Sequence, residues 1–159
     1  VDLLPYDEYA ASLPRKRAAA GVLLRDHRDH VLLVETTYKP AWEIPGGTVD
    51  AEEPPWVTAT REVREELGIT RPLGALLVID HIPTLGVMPE ALAFIFDGGL
   101  ITEDEVAALR PTDPEIRSIG LYPLHEARDL IKPSLHARVT AALNAAHTGA
   151  LTLRDTRDR

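Results

Sequence analysis

A chain of 159 residues, with 45% hydrophobic and 26% charged residues, is sized and composed for one globular domain. With no cysteine, disulfides, thiolate metal sites and a cysteine nucleophile are excluded. The net charge of −8 disfavours a nucleic-acid polymer or an anionic membrane as partner, although a bound cation can still mediate contact with a small phosphorylated ligand.

Residues 1–14 read as an irregular lead-in closed by Pro14. No apolar run precedes the basic cluster ending at Arg17, and none of 18 residues occurs anywhere. A secretory signal and a membrane span are therefore not expected, and the expected location is cytoplasmic. Arg17 to Leu24 and Val31 to Glu35 read as strands joined by a polar turn. Trp42 to Ile44 is a short extended piece that stops at the breaker Pro45-Gly46-Gly47. Pro54 to Leu67 reads as a helix, with proline suited to its first turn and Gly68 to a left-handed stop. Ala59, Val63 and Leu67 give that helix a buried stripe. Leu73 to Ile82 and Ala91 to Phe96 are further strands, the first apolar enough for burial on both faces. Ile101 to Leu109 reads as a short helix, Ile116 to Tyr122 as a strand, and Leu135 to His147 as a helix with Leu135, Val139, Ala142 and Leu143 on one side. The pattern predicts an α/β fold, a mixed sheet flanked by helices, in one domain over residues 15–148 with a polar tail over 149–159.

The most informative segment is Arg61-Glu62-Val63-Arg64-Glu65-Glu66-Leu67-Gly68. On a helix Glu62, Glu65 and Glu66 stand at i, i+3 and i+4 and share one face. Like charges so placed cost about 0.2–0.5 kcal/mol per pair. The C-terminal end of a helix disfavours each anion by a further ~0.3–1 kcal/mol. A divalent cation offsets both penalties, and Mg²⁺ takes carboxylate, water and phosphate oxygens. The competing interpretation is a solvated acidic face with Arg61 pairing Glu65. Pro45-Gly46-Gly47, just upstream, lets backbone approach a ligand closely.

Taken together, the 23 residues from Gly47 to Ile69, with Glu53, Arg61, Glu62, Glu65, Glu66 and Gly68 at their spacing, resemble the Nudix box. The resemblance implies an α/β/α sandwich and a Mg²⁺-dependent hydrolase, with Mn²⁺ as a substitute, cleaving a phosphoanhydride bond in a nucleoside di- or triphosphate-type small molecule. It implies Glu62, Glu65 and Glu66 as metal ligands and catalytic carboxylates, a Gly46 or Gly47 carbonyl as a further ligand, and Glu53 and Arg61 as structural braces. Glu65 is the first candidate to accept the proton of the attacking water. Glu103 and Glu105 are the alternative, although Thr102 and Glu105 equally form a helix-capping pair. Pro54-Pro55-Trp56 is expected only to stiffen the helix start.

Outside the box the readings stay open. Lys39 and Arg17 either touch a phosphate or decorate the surface. Trp42 and Tyr122 either stack on a nucleoside or pack in the core. The six histidines have no metal-ligand spacing. Pro83 lies 14 residues past Ile69, a near miss of the spacing in ADP-ribose-cleaving members of the family. ADP-ribose or a nucleotide sugar is thus the alternative substrate, followed by prenyl or other specialised diphosphates. A non-catalytic nucleotide sensor is the rival from another class, and a homodimer is a further possibility.

Overall fold

The computed structural model describes residues 1–158. Its elements are α1 (Tyr6–Ser12), β1 (Arg17–Arg25), β2 (Val31–Thr36), β3 (Gly46–Thr48), α2 (Pro55–Leu67), β4 (Leu76–Ile82), β5 (Ala91–Leu100), α3 (Glu103–Ala107), β6 (Ile116–Tyr122), α4 (Leu124–Ala127), α5 (Pro133–Thr148) and β7 (Thr152–Asp155). The strands form one mixed sheet in the order β6-β2-β1-β5-β4-β7, with β3 pairing β1 off this path.

Alternation along the strands divides the core into two layers. Leu23, Val31 and Leu33 point to the face covered by α4 and α5, where Leu135, Val139, Ala142 and Leu143 pack. Val22, Leu24, Leu32 and Val34 point to the face covered by α2, where Ala59, Val63 and Leu67 pack. Side chains of period two thus feed both layers from the same strands, which makes the domain the expected α/β/α sandwich. Gly68 ends α2 with a φ of 73°, as its sequence position predicts.

The sheet differs from the simple hairpin reading in a way that positions the site. β1 and β2 are in register only at Arg25 and Val31, next to the turn. Beyond it they part, and the segment from Glu43 to Thr48 enters the gap. Glu43 bridges Val34 on β2, while Gly46, Gly47 and Thr48 pair with Gly21, Ala20 and Ala19 on β1. The Pro-Gly-Gly stretch, expected to break the chain, continues as β3. β1 instead takes β5 as its long parallel partner, from Arg17 and Ala91 to Arg25 and Leu100. β5 consequently runs four residues past its predicted end at Phe96.

Two terminal segments also differ from expectation. Tyr6–Ser12 is helical within the predicted lead-in, yet none of its residues is buried. The predicted polar tail contains β7, which adds in parallel to β4 with Val78 opposite Thr152. Polar strands escape a hydrophobic-period reading because backbone pairing, not apolar alternation, recruits them. β4 is shorter than read, and its end at His81 and Ile82 is only partly buried. No helix among the described residues is long and apolar enough to cross a membrane.

Candidate active site

A cavity of about 620 Å³ opens between the C-terminal half of α2, β3, the end of β2 and the N-terminal parts of β1 and α5. Glu62, Glu65 and Glu66 all line it, as do Gly46 and Gly47. The helix that shares out these carboxylates buries Val63 and Leu67 in the core, and this fixes which way the acidic face points.

The glycines explain how close the helix can come to β3. A side-chain carbon on Gly47 would collide with the Glu62 carboxylate, and one on Gly46 would run into the backbone of Ala20 and Gly21. The Gly46 N–H donates to Glu66 Oε2 at 3.2 Å. Glu66 is only 8% exposed. Burial, reinforced by the charge of Glu62, pushes its carboxyl up to about 8. Burial also raises Glu62 above the ordinary carboxylate range, although the neighbouring Arg61 opposes this.

Arg61 braces the box. Its Nε and Nη2 donate to the two oxygens of Glu53 at 2.9 and 3.0 Å, a bidentate pair that holds Glu53 down to about 2. Its Nη1 donates to Glu62 at 2.9 Å and to Glu65 at 3.4 Å. Glu62 and Glu65 thus each lend an oxygen to the guanidinium, and no three acidic or histidine side chains among the described residues already converge as a ligand cage. The donor chemistry nevertheless suits a hard divalent cation: the available groups are oxygens, and the buried Glu66 carboxylate has one backbone N–H as its hydrogen-bond partner. Seven carboxylates line the cavity against four basic side chains among the described residues, an acidic balance that a bound cation would offset.

The other sequence candidates divide. Arg17 and Lys39 line the cavity; Arg17 Nε donates to the Pro89 carbonyl at 2.8 Å and Lys39 contacts Glu43 at 3.4 Å. Trp42 and Tyr122 do not line it: their rings meet edge to face, 5.4 Å apart, against the core layer under α5. Of the two roles open to them, the structure places them in packing. Glu103 and Glu105 lie away from the cavity. Glu105 completes a capping box with Thr102 and pairs with Arg71, while Glu103 pairs with Arg28.

Several cavity residues escape a reading by motif. Asp113 and Glu115 arrive on the loop before β6, which is tied to α2 by the Thr112 and Asp113 N–H groups donating to the Glu65 carbonyl at 3.1 and 3.0 Å. Thr36, 5% exposed with an unpartnered hydroxyl, and Tyr38 come from the end of β2. Arg138 comes from α5, where its three-residue spacing from Leu135 is the only sequence hint that both share a face.

Comparison with known proteins bears on the family and the fold. A family profile described as NUDIX domain matches residues 15–143. Among curated relatives, diphosphoinositol polyphosphate phosphohydrolase 2 of Rattus norvegicus is 46% identical over 66 residues, 41% of this chain and 37% of the relative, so the match spans well under half of that protein. Among solved structures, the MutT protein from Methanosarcina mazei Go1 superposes with a TM-score of 0.65 at 20% identity, covering 87% of this chain and 99% of the other. The NUDIX domain of Shewanella oneidensis NrtR, complexed with ADP ribose, gives 0.68 at 16% identity, covering 90% and 99%. These likenesses extend over the sandwich, and with the profile match and the intact box they establish that the chain belongs to the NUDIX domain family, with a MutT-like fold.

Proposed function

We propose that the cavity is the active site of a Mg²⁺-dependent hydrolase that cleaves a phosphoanhydride bond in a nucleoside di- or triphosphate-type substrate. The observation that carries this is the placement of Glu62, Glu65 and Glu66 on one cavity wall against Gly46 and Gly47, with Glu66 desolvated beside Glu62. Those three carboxylates, with a carbonyl at Gly46 or Gly47, are the groups that would hold the cation. Mg²⁺ would supply neutralisation of the charge that builds on phosphate oxygens.

The remaining work falls to the chain's own residues. Arg61 and Glu53 hold the loop and helix at fixed separation, so the carboxylates are preorganised. Glu65, with its side chain 44% exposed, is the acid best placed to accept a proton from water, because Glu66 is buried and Glu62 largely covered. Arg17 and Lys39 offer phosphate contacts at the cavity rim. Glu103 and Glu105 are not suited to the proton-acceptor role, since they lie outside the cavity.

A second reading concerns the substrate. Relatives named for diphosphoinositol polyphosphates and a structural neighbour complexed with ADP ribose support substrates in which the diphosphate carries another group. A panel with Mg²⁺ and Mn²⁺ tests both readings: nucleoside triphosphates including oxidised ones, ADP-ribose, nucleotide sugars, diphosphoinositol polyphosphates and prenyl diphosphates. Metal-dependent release of phosphate or a nucleoside monophosphate from at least one is expected. Binding without turnover across the panel would leave a nucleotide-sensing module instead.

A further inference from the structure

The cavity has a basic element that the box does not use. Arg138 lines it from α5 with its side chain 12% exposed. Its Nε donates to Asp80 Oδ2 at 2.8 Å, and Asp80, on β4, is fully buried. The same carboxylate accepts from Thr156 Oγ1 at 2.9 Å and lies 3.5 Å from Arg154 Nε on β7. Two guanidinium groups thus stand at one buried carboxylate, Arg138 bonded to Oδ2 and Arg154 beside Oδ1. The Nε bond fixes the plane of the Arg138 guanidinium, while neither η nitrogen donates to another described residue. A guanidinium held by Nε with a free η pair is preorganised to bind an oxyanion with two parallel N–H groups.

Arg138 makes the one guanidinium hydrogen bond that Asp80 receives among the described residues, since Arg154 Nε, 3.5 Å from Oδ1, has no hydrogen-bond partner. The free η N–H groups, on a guanidinium that lines the cavity and is held by a buried carboxylate, are explained by an anionic group of a ligand entering there. We propose that Arg138, oriented by Asp80, is a specificity-determining residue that binds a second anionic group of the substrate, a phosphate or carboxylate separate from the diphosphate that is cleaved. This rests on the hydrolase reading of the cavity. It assigns the preferred substrate to polyanionic diphosphates and against those whose remote part is neutral.

The test compares wild type with Arg138→Gln and Arg138→Lys on three substrates: UDP-glucose, with no second anion, UDP-glucuronate, with a carboxylate, and diphosphoinositol pentakisphosphate, with further phosphates. For Arg138→Gln, the ratio of kcat/KM on an anionic substrate to that on UDP-glucose should fall at least about tenfold, through KM. The lysine variant should recover part of it, since charge remains but the fork is lost. Whichever anionic substrate shows the fall identifies the anion. An equal change on all three substrates, or none, overturns the proposal. Inositol hexakisphosphate, which has no diphosphate bond, separates this from the hydrolase reading. Its binding, measured by calorimetry, should weaken at least about tenfold in Arg138→Gln even if no substrate is turned over. Unchanged binding overturns the assignment of Arg138. Should Arg138→Gln fail to fold with Asp80 left unpaired, Arg138→Gln/Asp80→Asn removes the orphaned charge and carries the same measurements.

Discussion

At the scale of single residues, the three box glutamates differ in environment although the helix presents them on one face. Glu66 is buried, Glu62 largely covered and Glu65 the most open. Glu65→Gln or Glu66→Gln is expected to lower kcat about a hundredfold or more, with circular dichroism and the melting temperature showing an intact fold. Near-wild-type turnover in both variants would remove the metal-site assignment. Glu103→Gln and Glu105→Gln should behave differently. Their acids serve a capping box and surface ion pairs, so turnover should stay near wild type, and losing the cap should cost at most about 1 kcal/mol. A collapse of kcat in either would mean that the loop moves into the cavity on substrate binding. Asp113→Asn is the informative companion, because Asp113, like Glu115, is a downstream-loop acid that does line the cavity.

At the scale of elements, the decisive contact is α2 against β3. The helix, its proline start and its glycine stop are all legible from local rules. The insertion of β3 between β1 and β2 is not, because nothing in Pro45-Gly46-Gly47 indicates which strand will supply its hydrogen bonds. Gly47→Ala tests the contact: the added carbon meets the Glu62 carboxylate. Overpacking of this kind typically costs about 1–3 kcal/mol. The variant should melt lower in denaturant titrations and lose activity. Wild-type stability and turnover would show that α2 and β3 tolerate separation.

At the scale of the whole molecule, ligand linkage and the C-terminal closure of the sheet both make predictions. A cation that binds only the folded form raises stability by about RT ln(1+[L]/Kd). Thermal scans in Mg²⁺ or Mn²⁺ should therefore lie above those in EDTA, and the gap should shrink in Glu62→Ala/Glu66→Ala. An identical gap would place the cation elsewhere. β7 is held to β4 by His81, whose ring nitrogens stand 3.0 Å from Glu90 and 3.2 Å from Asp155. Lys16 also reaches Glu90, and Arg157 reaches Asp155. The two carboxylates raise the His81 pKa above 6.5. The stability it contributes is fully present below 6.5, the ordinary value, and is lost as pH climbs through the raised one. The melting-temperature difference between wild type and His81→Gln should accordingly shrink with rising pH. A constant difference would mean that the clamp works through packing alone.

What the sequence by itself determined is what depends on neighbours along the chain. Spacing put Glu62, Glu65 and Glu66 on one helix face; proline and glycine marked the ends of α2; Ala59, Val63 and Leu67 marked its buried stripe; and Thr102 and Glu105 signalled a capping box. Only the tertiary structure decided which distant residues meet. It set Trp42 against Tyr122 rather than in the cavity, gave the polar residues 152–155 a strand partner, brought Asp113 to the box, and delivered Arg138 to the far wall through its bond to Asp80. The physical reason is that periodicity and capping are local energies repeated along the chain, whereas a buried ion pair or a strand partner becomes favourable only after the sheet has closed around it.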